Sequence, residues 1–235
     1  MIMSQVCLFC LAALGGTAMA QAASATGKAD AKKKAETRTT QSVEFDAGGE
    51  IRLDGTIGDV SVVGWDNPQV ELTVSKATKK YYGLDEQEKA LKLLARFSVV
   101  MMKEDENHLM VSVAPARGLL WQLLNGATNL ELSFTLKVPK ASNLRVKHKA
   151  GDIQVTGVEG NISVSNRAGD VSLALSGKEK YVIDAKSRLG EVRSAFRRKK
   201  QSPDGEVSGL AEQDEPYKVC LRVDVGEIRV QKLMR

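Results

Sequence analysis

Acidic side chains recur in this 235-residue chain directly after a glycine and before a β-branched residue, and four of them carry a repeat. They are Asp152 in Gly151-Asp152-Ile153, Asp170 in Gly169-Asp170-Val171, Glu191 in Gly190-Glu191-Val192 and Glu227 in Gly226-Glu227-Ile228. Paired carboxylates do general acid–base work on glycosidic bonds. Stacked about 5 Å apart, like carboxylates repel unless a cation such as calcium sits between them. A plainer use competes with both: after a glycine at a tight corner, an acidic side chain accepts hydrogen bonds from the amides of its own turn. The calcium β-roll nonapeptide Gly-Gly-x-Gly-x-Asp is absent, so corner capping is the expectation and carboxylate catalysis the alternative.

Other reactive side chains are sparse. His108 and His148 have no Ser, Cys or paired carboxylate close in sequence, and each is expected to be a surface turn or strand residue. No phosphate-binding glycine loop with a following Lys occurs, nor a dinucleotide fingerprint, so no cofactor is expected. Two His and three Cys are too few for the usual structural zinc sites or a disulfide framework, and no metal is expected either. Cys220, between Val219 and Leu221 in a strand-like run, is expected to be a small buried hydrophobe, with a reactive or intermolecular thiol as the alternative.

Basic residues supply a different chemistry. Arg145, Lys147 and Lys149 alternate along one strand and so project from one face, while Arg197, Arg198, Lys199 and Lys200 cluster in a loop. In a chain of formal charge +5 these are candidate contacts for anionic envelope polymers, phospholipid headgroups or extracellular DNA, against the plain reading of solvated charge. Aromatic residues do not interleave with them apart from Phe196, so specific nucleic-acid recognition is not expected. The partner classes left are an envelope polymer, another envelope protein, or peripheral contact with a membrane.

The elements that must position these residues are legible as a repeat. The glycine–acid or amide–β-branched unit recurs at Gly151, Gly160 (with Asn161 and Ile162), Gly169, Gly190 and Gly226, with an outlying copy at Gly58-Asp59-Val60. Nine residues separate the first three, enough for a short strand and a turn, so two units make one coil that stacks on the next. Residues such as Ile153 and Val155, or Ile162 and Val164, then point inward. The longest gap, before Gly226, holds a charged loop expected at 197–216.

Upstream, Val6 to Leu14 form an apolar run followed by Ala18-Met19-Ala20, the pattern of a secretory signal cleaved after Ala20; an uncleaved anchor is the alternative, since no Lys or Arg precedes the run. Cleavage would remove Cys7 and Cys10. Residues 21–40 lack aromatic and branched aliphatic side chains and are expected to be a disordered Ala/Lys-rich tether. Alternating strands begin with Val43 and Phe45 and continue through Val70, Leu72 and Val74. A short helix is expected at 85–96, with Leu84, Leu91, Leu94 and Ala95 on one face, then a hairpin from Phe97–Met102 and Leu109–Val113. Leu119 to Leu124, with Trp121, are expected to plug an end of the core, a partner or membrane contact being the alternative. Asn129 to Val138 alternate strictly and form the best strand of the chain. The expected fold class is all-β with one short helix, a short β-solenoid or β-helix-like stack of two-strand coils. It occupies residues 41–235, with insertions at about 78–128 and 197–216.

The Gly58-Asp59-Val60 unit leading to Gly64-Trp65-Asp66 and Val70-Glu71-Leu72, then Leu136-Lys137-Val138-Pro139-Lys140, Leu144-Arg145-Val146 and the Gly-Asp-Val series, resembles the bacterial adhesin-like family known as DUF4097-type domains. The resemblance covers about residues 42–75 and 129–232. It implies a secreted or membrane-tethered β-solenoid-like protein with no catalytic residues to carry over. The expected function is an exported, non-catalytic binding or structural module of the cell envelope, released to the periplasm, cell surface or exterior. A polysaccharide-active or cation-dependent enzyme using the corner carboxylates is the alternative.

Overall fold

Alternating side chains build two facing sheets from short strands, and glycine corners turn the chain from one sheet to the other. The structure is a computed structural model that describes residues 32–55, 57–95, 97–115, 130–176, 181–196 and 216–233. In chain order the described strands are β1 Lys33–Glu44, β2 Glu50–Asp54, β3 Asp59–Trp65, β4 Gln69–Tyr82, β5 Phe97–Lys103, β6 His108–Pro115, β7 Leu130–Pro139, β8 Asn143–Ala150, β9 Ile153–Thr156, β10 Ile162–Ala168, β11 Val171–Leu175, β12 Tyr181–Leu189, β13 Val192–Ser194, β14 Tyr217–Val225 and β15 Ile228–Lys232. One helix, α1, spans Leu84–Leu94. Sheet I has the order β1-β4-β7-β3-β9-β11-β15-β13, and sheet II the order β12-β14-β10-β8-β2-β6-β5.

Each rung of the stack is one strand of sheet II followed by one strand of sheet I. The rungs β2–β3, β8–β9, β10–β11, β12–β13 and β14–β15 pair in parallel, as a solenoid requires. Their register stacks like on like: Ile51, Leu144, Ile162 and Val219 form one inward row, and Val60, Ile153, Val171 and Ile228 another. All eight are buried to 2% exposure or less, so the core is a set of aliphatic ladders.

Rungs do not stack in chain order. From one end to the other they run β6–β7, β2–β3, β8–β9, β10–β11, β14–β15, β12–β13. The last rung of the chain therefore lies inside the stack, and the one before it forms the end. Side chains explain the exchange. The inward Val219, Leu221, Val223, Ile228 and Val230 of β14–β15 are all buried, whereas Tyr181, Ile183, Ala185 and Ser187 of β12 are half-buried, a composition suited to an end.

The structure corrects three expectations about organisation. The tether expected at 21–40 is cut short by β1, which begins at Lys33; residues 21–31 lie outside the described set. Composition predicted disorder because these side chains bury little, but an antiparallel ladder with β4, from Lys33↔Tyr82 to Glu44↔Gln69, satisfies the backbone itself. Ala35 is buried and its amide donates to Thr78 Oγ1 at 3.0 Å. Second, the insertion expected at 78–128 is not an appendage: β4 continues to Tyr82, and β6 pairs in parallel with β2, making β6–β7 a rung of the stack. The expected hairpin is present as β5–β6, and the strongly alternating strand is β7. Third, α1 buries Ala90 and Leu94 and leaves Leu91 exposed, so its inner face is turned from the one expected. The apolar segment Leu119–Leu124, the signal segment 1–20 and the loop cluster Arg197–Lys200 lie outside the described residues.

Candidate functional site

The repeat acids come together along one corner of the stack. Gly58, Gly151, Gly169, Gly226 and Gly190 follow one another there, all with positive φ. At Gly169 the φ of 119° suits glycine, and a methyl group would collide with the carbonyl of Gly151 in the adjoining rung. Gly160, counted in the same series from sequence, has no positive φ and turns the opposite corner with Asn161.

The acids do not cap their own turns. The Asp152 amide donates to Asp59 Oδ1 at 3.1 Å, the Asp170 amide to Asp152 Oδ1 at 2.9 Å, and the Glu227 amide to Asp170 Oδ1 at 2.9 Å. Each aspartate thus ties its corner to that of the adjoining rung. This corrects the expected own-turn geometry: rungs stack so closely that the nearest unpaired amide belongs to the neighbour. Glu227 and Glu191 carry one more methylene and turn instead to Arg229 and Arg193, each at 2.6 Å. At the opposite corner amides do the same work: Asn143 Oδ1 accepts from the Asn161 amide at 3.1 Å, and Asn161 Oδ1 from the Lys218 amide at 2.9 Å.

A second ladder runs inside the glycine corner, three residues before each glycine. His148 Nε2 lies 2.8 Å from the carbonyl oxygens of both Gly58 and Ala150, so Nε2 carries the proton and donates to both. Asn166 Nδ2 donates to Gly151 O at 2.9 Å and Gly169 O at 3.2 Å, and Ser187 Oγ to Gly226 O at 2.7 Å. Val223 stands at the same position of its rung without a donor, and Gly55 leaves room for the His148 ring. His148 was expected at the surface; it is 5% exposed, because its strand position faces the core. Burial pushes its imidazole below the ordinary value, offset in part by the two carbonyls and by the charge of Asp59. His108 is exposed at the start of β6 and bonds Asp105 at 2.9 Å, which lowers the Asp105 carboxyl.

A shallow groove of about 420 Å³ lies beside the acids on sheet I, lined by Asp59, Asp152, Asp170, Gln154, Ser172 and Arg229 among others. Another of about 410 Å³ on sheet II is lined by Glu50, Asn143, Arg145, Tyr217, Lys218 and Cys220 among others. Cys220 was expected to be buried. It is half-buried and belongs to the outward register of β14, opposite Ser163 and Asp184, because β14 alternates from Val219 inward. Among the described residues no group of three or more His, Cys, Asp or Glu is placed to hold a metal ion.

Arg145, Lys147 and Lys149 project together from β8 on the outer face of sheet II. Arg145 approaches Glu50 at 3.6 Å, while Lys147 and Lys149 have no ion pair among the described residues. The topology brings beside them cations that linear reading did not group: Arg167 on β10, Arg222 on β14, and Lys186 and Arg188 on β12. Their alternation within each strand was visible, but the neighbour of each strand was not.

The Toastrack DUF4097 family model matches residues 37–231. Among solved structures, a candidate cell adhesion protein from Clostridium sporogenes aligns at 10% identity and a TM-score of 0.48, over 84% of this chain and 100% of that one. A candidate adhesin from Bacteroides fragilis aligns at 12% identity and a TM-score of 0.27, over 83% and 97%. A candidate lipid-binding protein from Parabacteroides distasonis aligns at 9% identity and a TM-score of 0.25, over 84% and 97%. The chain matches none of the curated proteins.

Proposed function

Because this chain belongs to the Toastrack DUF4097 family, we propose that it is an exported, non-catalytic, adhesin-like binding module of the cell envelope. It meets an anionic envelope polymer with the outer face of sheet II. The observation that carries the non-catalytic part is the corner ladder: Asp59, Asp152 and Asp170 each commit an oxygen to the amide of the adjoining rung, and Glu191 and Glu227 are paired with arginines. Carboxylates held this way act as staples between rungs. The binding part is supported by the outward projection of Arg145, Lys147 and Lys149 from a sheet whose backbone is fixed by neighbours on both sides.

Retention on an anionic matrix across a salt series tests the reading. Replacing Arg145, Lys147 and Lys149 together by Gln is expected to weaken retention, and unchanged retention at low salt would remove this face. The catalytic alternative is tested separately: release of reducing ends from polysaccharide that disappears in Asp152→Asn and Asp170→Asn would overturn the non-catalytic reading. Export is tested by fusing residues 1–40 to a reporter that is active only outside the cytoplasm.

A further inference from the structure

The outer face of sheet II carries two cationic rows that run across the strands, along the stacking axis. In the first, Lys147 on β8 is followed by Ser165 on β10, Arg222 on β14 and Lys186 on β12, each opposite the next in register. In the second, Arg167 lies between Asn166 and Ala168, whose partners are His148 and Ala150, and so stands beside Lys149. Arg188 lies likewise between Ser187 and Leu189 and stands beside Asp224 of β14. Two residues along a strand separate the rows by about 7 Å, and the three strand spacings from β8 to β12 extend them over about 14 Å.

Five of the six cations, Lys147, Lys149, Arg167, Lys186 and Arg188, are exposed and make no ion pair or hydrogen bond among the described residues. Only Arg222 is paired, with Asp184. On a natural surface of mixed charge, cations usually find an acid in the opposite row. In the first row β10 supplies Ser165 and no acid, and Asp184 is already engaged; in the second row Asp224 of β14 stands between Arg167 and Arg188 and makes no ion pair among the described residues. The two rows themselves hold no apolar side chain: the exposed Val182 stands four residues before Lys186 on β12, Leu189 and Val225 belong to the inward register at the corner beyond Arg188, and Val100 and Met102 lie on β5 at the far edge of the sheet. Contact with a lipid surface calls for apolar residues set among the cations. Two narrow rows of polar side chains suit an extended chain of negative charges lying along the stack.

We infer that the rows from Lys147 and Lys149 to Lys186 and Arg188 form a binding strip for a linear polyanion, which crosses β8, β10, β14 and β12 roughly at right angles to the strands. The inference rests on the proposed function and specifies its ligand: a chain of regularly spaced oxyanions, phosphate or carboxylate, that the guanidinium groups of Arg167 and Arg188 grip from β10 and β12, on either side of β14.

The test uses the purified protein with long-chain polyphosphate, tripolyphosphate, polygalacturonate and vesicles of phosphatidylglycerol with phosphatidylcholine. Long polyphosphate or polygalacturonate is expected to bind, the tighter of the two identifying the oxyanion, and tripolyphosphate, too short to span the strip, at least tenfold more weakly. The double variant Arg167→Gln/Arg188→Gln is expected to lower polymer affinity about tenfold and to reduce the salt dependence by roughly two released counterions. Ser165→Glu, which sets an acid between Lys147 and Arg222, is expected to weaken binding, whereas Gln154→Glu, the same charge change on sheet I, is not. Equal losses from these two substitutions would show attraction to net charge alone and overturn the strip. If Lys147→Gln/Lys149→Gln weakens binding and Arg167→Gln/Arg188→Gln does not, the strip fails while the proposed face stands. If the unaltered protein binds no polymer at low salt, both fail. Binding to vesicles with none to polymers would replace the strip by a membrane contact.

Discussion

At the glycine corner, acidic side chains stack rung upon rung and are drawn into the backbone; on the outer face of sheet II, basic side chains stack along the same rungs and are left to solvent. The periodicity is shared, and the outcomes differ because of reach and direction. An aspartate directly after a positive-φ glycine is one methylene away from an amide of the adjoining corner, and it takes that amide. Glutamate at the same place overshoots and finds an arginine two residues on. Lysine and arginine in mid-strand point away from the sheet on long stems, where every amide is already in the ladder. Position relative to the corner decides whether a repeated charge is structural or free to meet a partner.

The contrast is broken most forcefully from inside. Ile162, 1% exposed between Leu144 and Val219, is expected to lose about 4 kcal/mol on replacement by Asp, because an unpaired charge would enter the aliphatic ladder. An unchanged melting temperature would show that the row does not face inward. Gly169→Ala is expected to cost about 3 kcal/mol in chemical denaturation, combining an unfavourable φ with collision against the Gly151 carbonyl.

His148 connects the corner to pH. Its folded pKa is depressed, so the unfolded chain binds the proton more readily. The stability from burying the neutral ring is full above about 6.5, the unfolded value, and is lost as pH falls below it toward the folded value. The melting temperature is expected to drop between pH 7.5 and 5.5. His148→Asn, which reproduces the donor that Asn166 offers to Gly151, should reduce that drop; an equal drop in the variant would assign it to other groups.

Asp170→Ala, which removes the acceptor for the Glu227 amide, is expected to cost about 1 kcal/mol, and Asp170→Asn distinctly less because Oδ1 remains. Loss of stability in Asn equal to that in Ala would mean that the charge matters more than the staple. The smallest effect closes the comparison. Arg167→Gln with Arg188→Gln is expected to leave unfolding within about 0.5 kcal/mol, since neither side chain has a partner to lose. A larger change would make the face structural after all.

Much of this was legible in the residues. Alternation identified the strands, and nine-residue spacing with glycine and an acid or amide identified two corners per coil. Arg145, Lys147 and Lys149 could be assigned to one face from period alone. His148 and Cys220 were misread because a residue's face depends on the phase of its strand, and a polar inward position is invisible to a reading that counts apolar residues. The first part of β1, from Lys33 to Thr40, was missed because backbone pairing leaves no mark in composition.

The sequence by itself determined the rung: which residues turn, which point inward and which carry charge outward, since these follow from φ, from the period of two and from side-chain solubility. The tertiary structure alone decided which rung lies beside which. Every rung offers nearly the same ladder of amides and aliphatic side chains, so local interactions scarcely distinguish one neighbour from another. The placing of β14–β15 inside β12–β13 depends on burial summed over whole strands and on a long connection between β13 and β14. That placement stands Arg222, Lys186 and Arg188 in line with Lys147 and Lys149, a juxtaposition that spacing along the chain does not contain.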